Sequence, residues 1–118
     1  MNDIKIKKYD LEERTTEFAK RVRDYVKALP KTISNIEYSK QLVRSSGSVA
    51  ANYIEANESL GTKDFKMKIK ICKKEAKESK LWLDLTECLP DRVKENKSLI
   101  DEAEQFIKIF FTIIRNSD

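Results

Sequence analysis

At 118 residues the chain has room for one hydrophobic core and not two. Two glycines and two prolines are too few for an all-β protein, which needs turn residues at short regular spacing, and the complete lack of histidine removes the commonest general base and the commonest zinc ligand together. The charge of +4, from 24 Lys and Arg against 20 Asp and Glu, is modest, so its distribution matters more than its total.

Residues 1–9 hold three lysines and a brief apolar alternation at Ile4 and Ile6, which reads as an N-terminal arm. Asp10 and Glu13 resemble a capping arrangement. Leu11, Thr15, Phe18, Val22, Val26 and Leu29 then recur at helical spacing. This is a first helix over about 10–29, ended by Pro30.

Ser34 and Glu37 form an S-x-x-E box that opens a second helix over about 35–60. Leu42, Ser45, Val49, Tyr53 and Ala56 share its apolar face, and Arg44, Ser48, Asn52 and Glu55 make a polar stripe along the edge of that face. Ser45, Ser46, Gly47, Ser48, Ala50 and Ala51 leave little side-chain volume between. Gly47 in mid-helix costs about 1 kcal/mol against alanine, which close helix packing, within the chain or between subunits, is expected to offset. Gly61 is expected to cap the helix end and Thr62 to cap the next, so a short loop makes an antiparallel hairpin.

The third helix, about 63–89, carries three stripes. Phe65, Ile69, Cys72, Ala76, Ser79 and Leu83 form a core face, and Ile71, Glu75, Glu78, Trp82, Leu85 and Leu89 a second face about 100° away. Lys63, Lys66, Lys70, Lys73, Lys77 and Lys80 fill the remaining side as a basic ridge about 25 Å long. Cys72 and Cys88, placed about 24 Å apart along this helix, cannot form a disulfide within it.

Pro90 breaks the third helix, and 91–97 read as a polar connector with about one turn of helix. Ser98 is expected to cap a fourth helix over about 98–115, with Leu99, Ala103, Phe106, Phe110 and Ile113 facing the core. Ile107, Ile109, Phe111 and Ile114 make its end apolar nearly all round, which calls for burial in the bundle or against a subunit. Nothing in the chain has the length of a membrane span or the apolar block of a signal peptide, so the expected location is the cytoplasm. The fold class is all-α, an antiparallel up-down four-helix bundle in one domain over 1–118.

The runs YDLEERTTEFAKRV, QLVRSSGSVAANYIEA and KDFKMKIKICKKEAKESKLWLDL, in this order and spacing, resemble the bacterial four-helix bundle family encoded by intervening sequences of 23S rRNA genes. The resemblance implies a homopentamer of undefined biochemical activity. It carries over onto Arg44, Ser45, Ser48, Asn52, Tyr53, Glu55 and Ala56, and onto Lys63, Asp64, Phe65, Lys74, Glu75, Ala76, Glu78 and Trp82. Gly47, the Ala50–Ala51 pair and Asp84 depart from the family pattern. A similar bundle in diversity-generating retroelements meets nucleic acid and a reverse transcriptase through a basic barrel, a looser analogy since fold does not fix function.

Glu55, Glu75 and Glu78 could supply carboxylates to a di-metal site, but such bundle sites also use histidine, so no metal or other cofactor is expected. Arg44 paired with Glu75 or Glu78 across the helix interface is the better reading, because a half-buried carboxylate needs a partner. Ser45, Ser46 and Ser48 have no activating base, and no glycine-rich phosphate loop exists, so an enzyme is not expected. The lysine ridge is the candidate surface for RNA or DNA. The rival reading is a protein-interaction and assembly module, with Trp82, Phe110 and Phe111 at its packing surfaces.

Overall fold

The computed structural model describes residues 3–117, with side chains described from Leu11 onward. Four α-helices follow one another, α1 (Asp3–Lys27), α2 (Ile33–Asn57), α3 (Thr62–Leu85) and α4 (Val93–Arg115), with a 3-10 turn at Pro90–Arg92 before the last. No strand occurs among the described residues. Side-chain pairings give the directions: Glu12 meets Asn57, Arg44 meets Glu75 and Glu78, Lys80 meets Glu104 and Lys73 meets Phe111, while Arg14 and Arg21 meet Glu102 and Glu95. Where two pairings join the same helices, α3 with α4 and α1 with α4, one number rises as the other falls, and Lys68 with Glu55 beside Arg44 with Glu75 gives the same for α2 and α3. Neighbouring helices are therefore antiparallel, in the cyclic order α1, α2, α3, α4.

The core is the set of stripes that helical periodicity predicts. Leu11, Phe18, Val22, Leu42, Val49, Tyr53, Ile69, Cys72, Ala76, Leu83, Leu99, Ala103, Phe106 and Phe110 are buried in one cluster. In α1 it is Tyr25, not Val26, that is buried, because its hydroxyl has partners inside: it bonds Thr86 Oγ1 at 2.8 Å and accepts from Asn96 Nδ2 at 2.8 Å. Phe18 packs edge-on to Phe106, with ring centroids 5.4 Å apart, across the α1–α4 side.

Several boundaries differ from those expected. The arm expected over 1–9 is helical from Asp3, since no proline or glycine interrupts the chain at Asp10. Asp10 therefore lies inside α1 and does not cap it, while Met1 and Asn2 lie outside the described residues. Thr32, not Ser34, caps α2, its Oγ1 accepting from the Asn35 amide at 3.1 Å. At the other end α2 stops at Asn57. Gly61 is extended (φ −155°) and precedes α3, so it does not supply a left-handed cap.

The larger shift is at the α3–α4 connection, where α3 ends at Leu85 and Thr86 turns to an extended conformation. The buried Asn35 side chain explains it. Its amide donates to the carbonyls of Pro30 (2.9 Å) and Glu87 (3.0 Å), and its oxygen accepts from the Glu87 amide at 2.9 Å. Glu87 is thus held by side-chain bonds in place of helix bonds. Cys88 consequently lies beyond the helix, and both cysteines are free. Helix α4 starts at Val93, ahead of the expected cap, and Ser98 inside it accepts from Arg21 at 2.7 Å.

Candidate functional site

Helix α3 separates two surfaces. Toward α2, Arg44 donates to both carboxylate oxygens of the buried Glu75 (3.2 and 3.3 Å) and to Glu78 at 2.8 Å. Donation to the Glu75 carboxylate is the largest influence raising the already high Arg44 pKa. Farther along, Lys68 donates to Glu55 at 2.9 Å. Ser48 and Asn52 stay within their own helix: Asn52 Nδ2 donates to the Ser48 carbonyl and hydroxyl at 2.9 and 3.0 Å. The ends of the polar stripe therefore reach α3 and its middle does not.

Small residues bring the two helices together at Ser45 and Ser79, whose hydroxyls lie 2.8 Å apart in the core. Ser46 donates to the Val43 carbonyl at 3.2 Å. These serines serve packing and backbone bonding. Gly47 is not the point of close approach within the chain, since a Cβ built there meets nothing within 4 Å. Among the described residues no group of three or more His, Cys, Asp or Glu is arranged to hold a metal ion.

The second surface is basic. Its six lysines advance 17 positions in five steps of three or four, slightly fewer per turn than the helix, so the row winds about 100° around α3. Alternate members fall on two lines about 60° apart, so Lys63, Lys70 and Lys77 stay exposed, whereas Lys66, Lys73 and Lys80 are partly buried. Lys73 Nζ sits 5.6 Å from the centre of the Phe111 ring, and Lys80 pairs with Glu104 at 3.5 Å, both on α4. Lys74, which the row omits, is exposed beside it. An open depression lined by Thr62, Lys63, Lys66, Met67 and Lys70 continues this face at the start of α3.

The three apolar residues expected at packing surfaces differ from one another. Phe110 belongs to the core, with its ring 5.9 Å from Tyr53 and 6.1 Å from Phe106. Trp82 stacks on Tyr38 at 5.8 Å, and its Nε1 is buried without a hydrogen-bond partner. Phe111 is 52% exposed, with the Arg115 guanidinium 6.0 Å from its ring centre in addition to Lys73. No helix among the described residues is long and apolar enough to cross a membrane.

Comparison with known families matches residues 7–111 to the 23S rRNA-intervening sequence protein model. Among solved structures, a protein with unknown function from the S23 ribosomal protein family of Bacteroides thetaiotaomicron VPI-5482 is similar, with a TM-score of 0.76 and 29% sequence identity over 90% of this chain and 99% of that one. No curated protein matches.

Proposed function

Because this chain belongs to the 23S rRNA-intervening sequence protein family, whose description names no reaction, we propose that it acts by binding and assembly, and that its ligand is nucleic acid held on the lysine face of α3. The observation that carries this reading is the exposed row of Lys63, Lys70, Lys74 and Lys77 on one rigid helix. Aligned ammonium groups meet phosphates at little ordering cost to the backbone, and their binding is sequence-tolerant because phosphates carry no sequence information. The polar groups that could serve chemistry, Arg44, Glu75 and the serines, are engaged with one another or with backbone.

Gel shifts and anisotropy titrations over a salt series test this. Binding at low salt should weaken with a log–log slope of about −0.7 per phosphate contacted on a single strand, and a Lys63→Glu/Lys70→Glu/Lys77→Glu variant should lose it. Absence of binding by the parent protein at low salt, or equal binding by the variant, overturns the reading.

A second reading, self-association, is supported by a specific surface. Ile36, Val43 and Ile54 are exposed along one side of α2, with Gly47 between the last two and open space above it. An apolar, nearly flat helix edge of this kind suits a second helix, and a ring such as the resemblance implies would repeat the lysine faces and reinforce their field. Light scattering should give a mass several times that of one chain, reduced to one chain by Val43→Glu/Ile54→Glu. A monomeric parent protein excludes it.

A further inference from the structure

We propose that the surface formed by α3 and α4 takes single-stranded nucleic acid, with one base stacked on Phe111 and neighbouring phosphates on Lys70, Lys73, Lys77 and Arg115. The inference rests on the binding reading above and names its substrate class. Phe111 is a large aromatic residue left half open on a helix that fully buries its neighbour Phe110. Two cations lie over its ring, Lys73 at 5.6 Å and Arg115 at 6.0 Å from the ring centre, and a stacking base takes the place of one of them as that side chain turns to a phosphate. Lysines without an aromatic partner recognise any polyanion. An open ring within the basic row adds a surface that only an unpaired base can use, because the faces of paired bases are covered by their own stack.

The position along this surface is also defined. Lys70, Lys73 and Lys77 span about 10 Å of α3, and of these Lys73 is the one that reaches the ring. One end of the basic stretch is closed by Glu104, which already pairs with Lys80 at 3.5 Å and would repel phosphate. At Phe111 cations come from both helices, Lys73 of α3 and Arg115 of α4, each lying over the ring. An acidic peptide would meet the same lysines but, unlike a nucleic-acid strand, does not carry a flat ring at every anionic unit.

The test compares, by fluorescence anisotropy, a short labelled oligothymidine, an abasic strand of equal length, and a duplex. The parent protein should bind the oligothymidine about tenfold more tightly than the abasic strand, and more tightly than the duplex. Phe111→Leu should remove that margin, weakening oligothymidine binding about tenfold more than abasic-strand binding, and Phe111→Trp should keep it. Equal affinity of the parent protein for intact and abasic strands, preference for duplex, or an equal loss on both strands in Phe111→Leu overturns the stacking site while leaving lysine binding in place. Failure to bind any of the three overturns the binding reading itself. Should the leucine variant not fold, the parent protein's margin over the abasic strand and the tryptophan variant still decide.

Discussion

Arg44 on α2 holds the buried carboxylate of Glu75 on α3 through two N–H···O bonds of 3.2 and 3.3 Å, and reaches Glu78 with the same guanidinium. The arrangement is asymmetric. The Arg44 side chain is 49% exposed and that of Glu75 8%, so the arginine could be hydrated without the pair and the glutamate could not. What the pair provides is relief of a desolvated charge, together with a fixed register between α2 and α3.

Arg44→Met should therefore destabilise the fold by about 1–3 kcal/mol, below the loss for a fully buried pair because half of the arginine is already in water. Adding Glu75→Gln should recover part of the loss. Urea melts of the two single variants and the double variant measure the coupling. Additive effects would show that the pair contributes nothing.

Asn35→Ala should cost about 2–4 kcal/mol, since it removes three hydrogen bonds, among them those of the Glu87 amide and carbonyl, while the Pro30 carbonyl keeps its bond from the Thr32 amide. The loss should be local in its first effect: hydrogen exchange at Glu87 should accelerate more than exchange in the middle of α3. Unchanged protection at Glu87 would rule out the clasp.

These two sites mark how far the amino-acid pattern reaches. Helix number, order and core stripes are legible because burial imposes a period near 3.6 on apolar residues, and the Arg44 pairing is legible because a carboxylate among apolar groups demands a cation. Asn35 is not legible. Its role depends on Pro30 and Glu87 meeting at one point in space, and the latter is 52 positions away. Without that clasp, Pro90 is the only visible terminator of α3, and the expected end falls four residues late. Helical periodicity does place the lysines on one row. What it leaves open is which of them α4 engages, because that depends on where Phe111 and Glu104 project.

Cys72 and Cys88 should differ sharply toward a thiol reagent. Burial pushes the Cys72 thiol up to about 12 from 9.0, whereas Cys88 is partly exposed beyond the helix end. Near pH 8 one thiol per chain should react before unfolding, and Cys88→Ser should abolish that reaction. A raised acid pKa in the fold also sets the sign of linkage: the Cys72 contribution is intact below about pH 9 and falls away as pH rises toward 12. Equal reactivity of both thiols in the folded protein would contradict this burial.

Gly47→Ala separates the stability of the bundle from its association. A methyl group at this position meets nothing within 4 Å inside the chain, and alanine is favoured over glycine in a helix by about 1 kcal/mol. The variant should therefore be more stable by about 0.5–1 kcal/mol in urea melts at protein concentrations where the chain is dissociated. Gly47→Trp should fold as well, because the side chain enters open space, but it would fill the flat edge between Val43 and Ile54. If copies of the chain meet there, light scattering should show the tryptophan variant at a lower mass than the parent protein. A tryptophan variant of parental mass would place the interface elsewhere, and a destabilising alanine would mean that the chain does approach Gly47 closely.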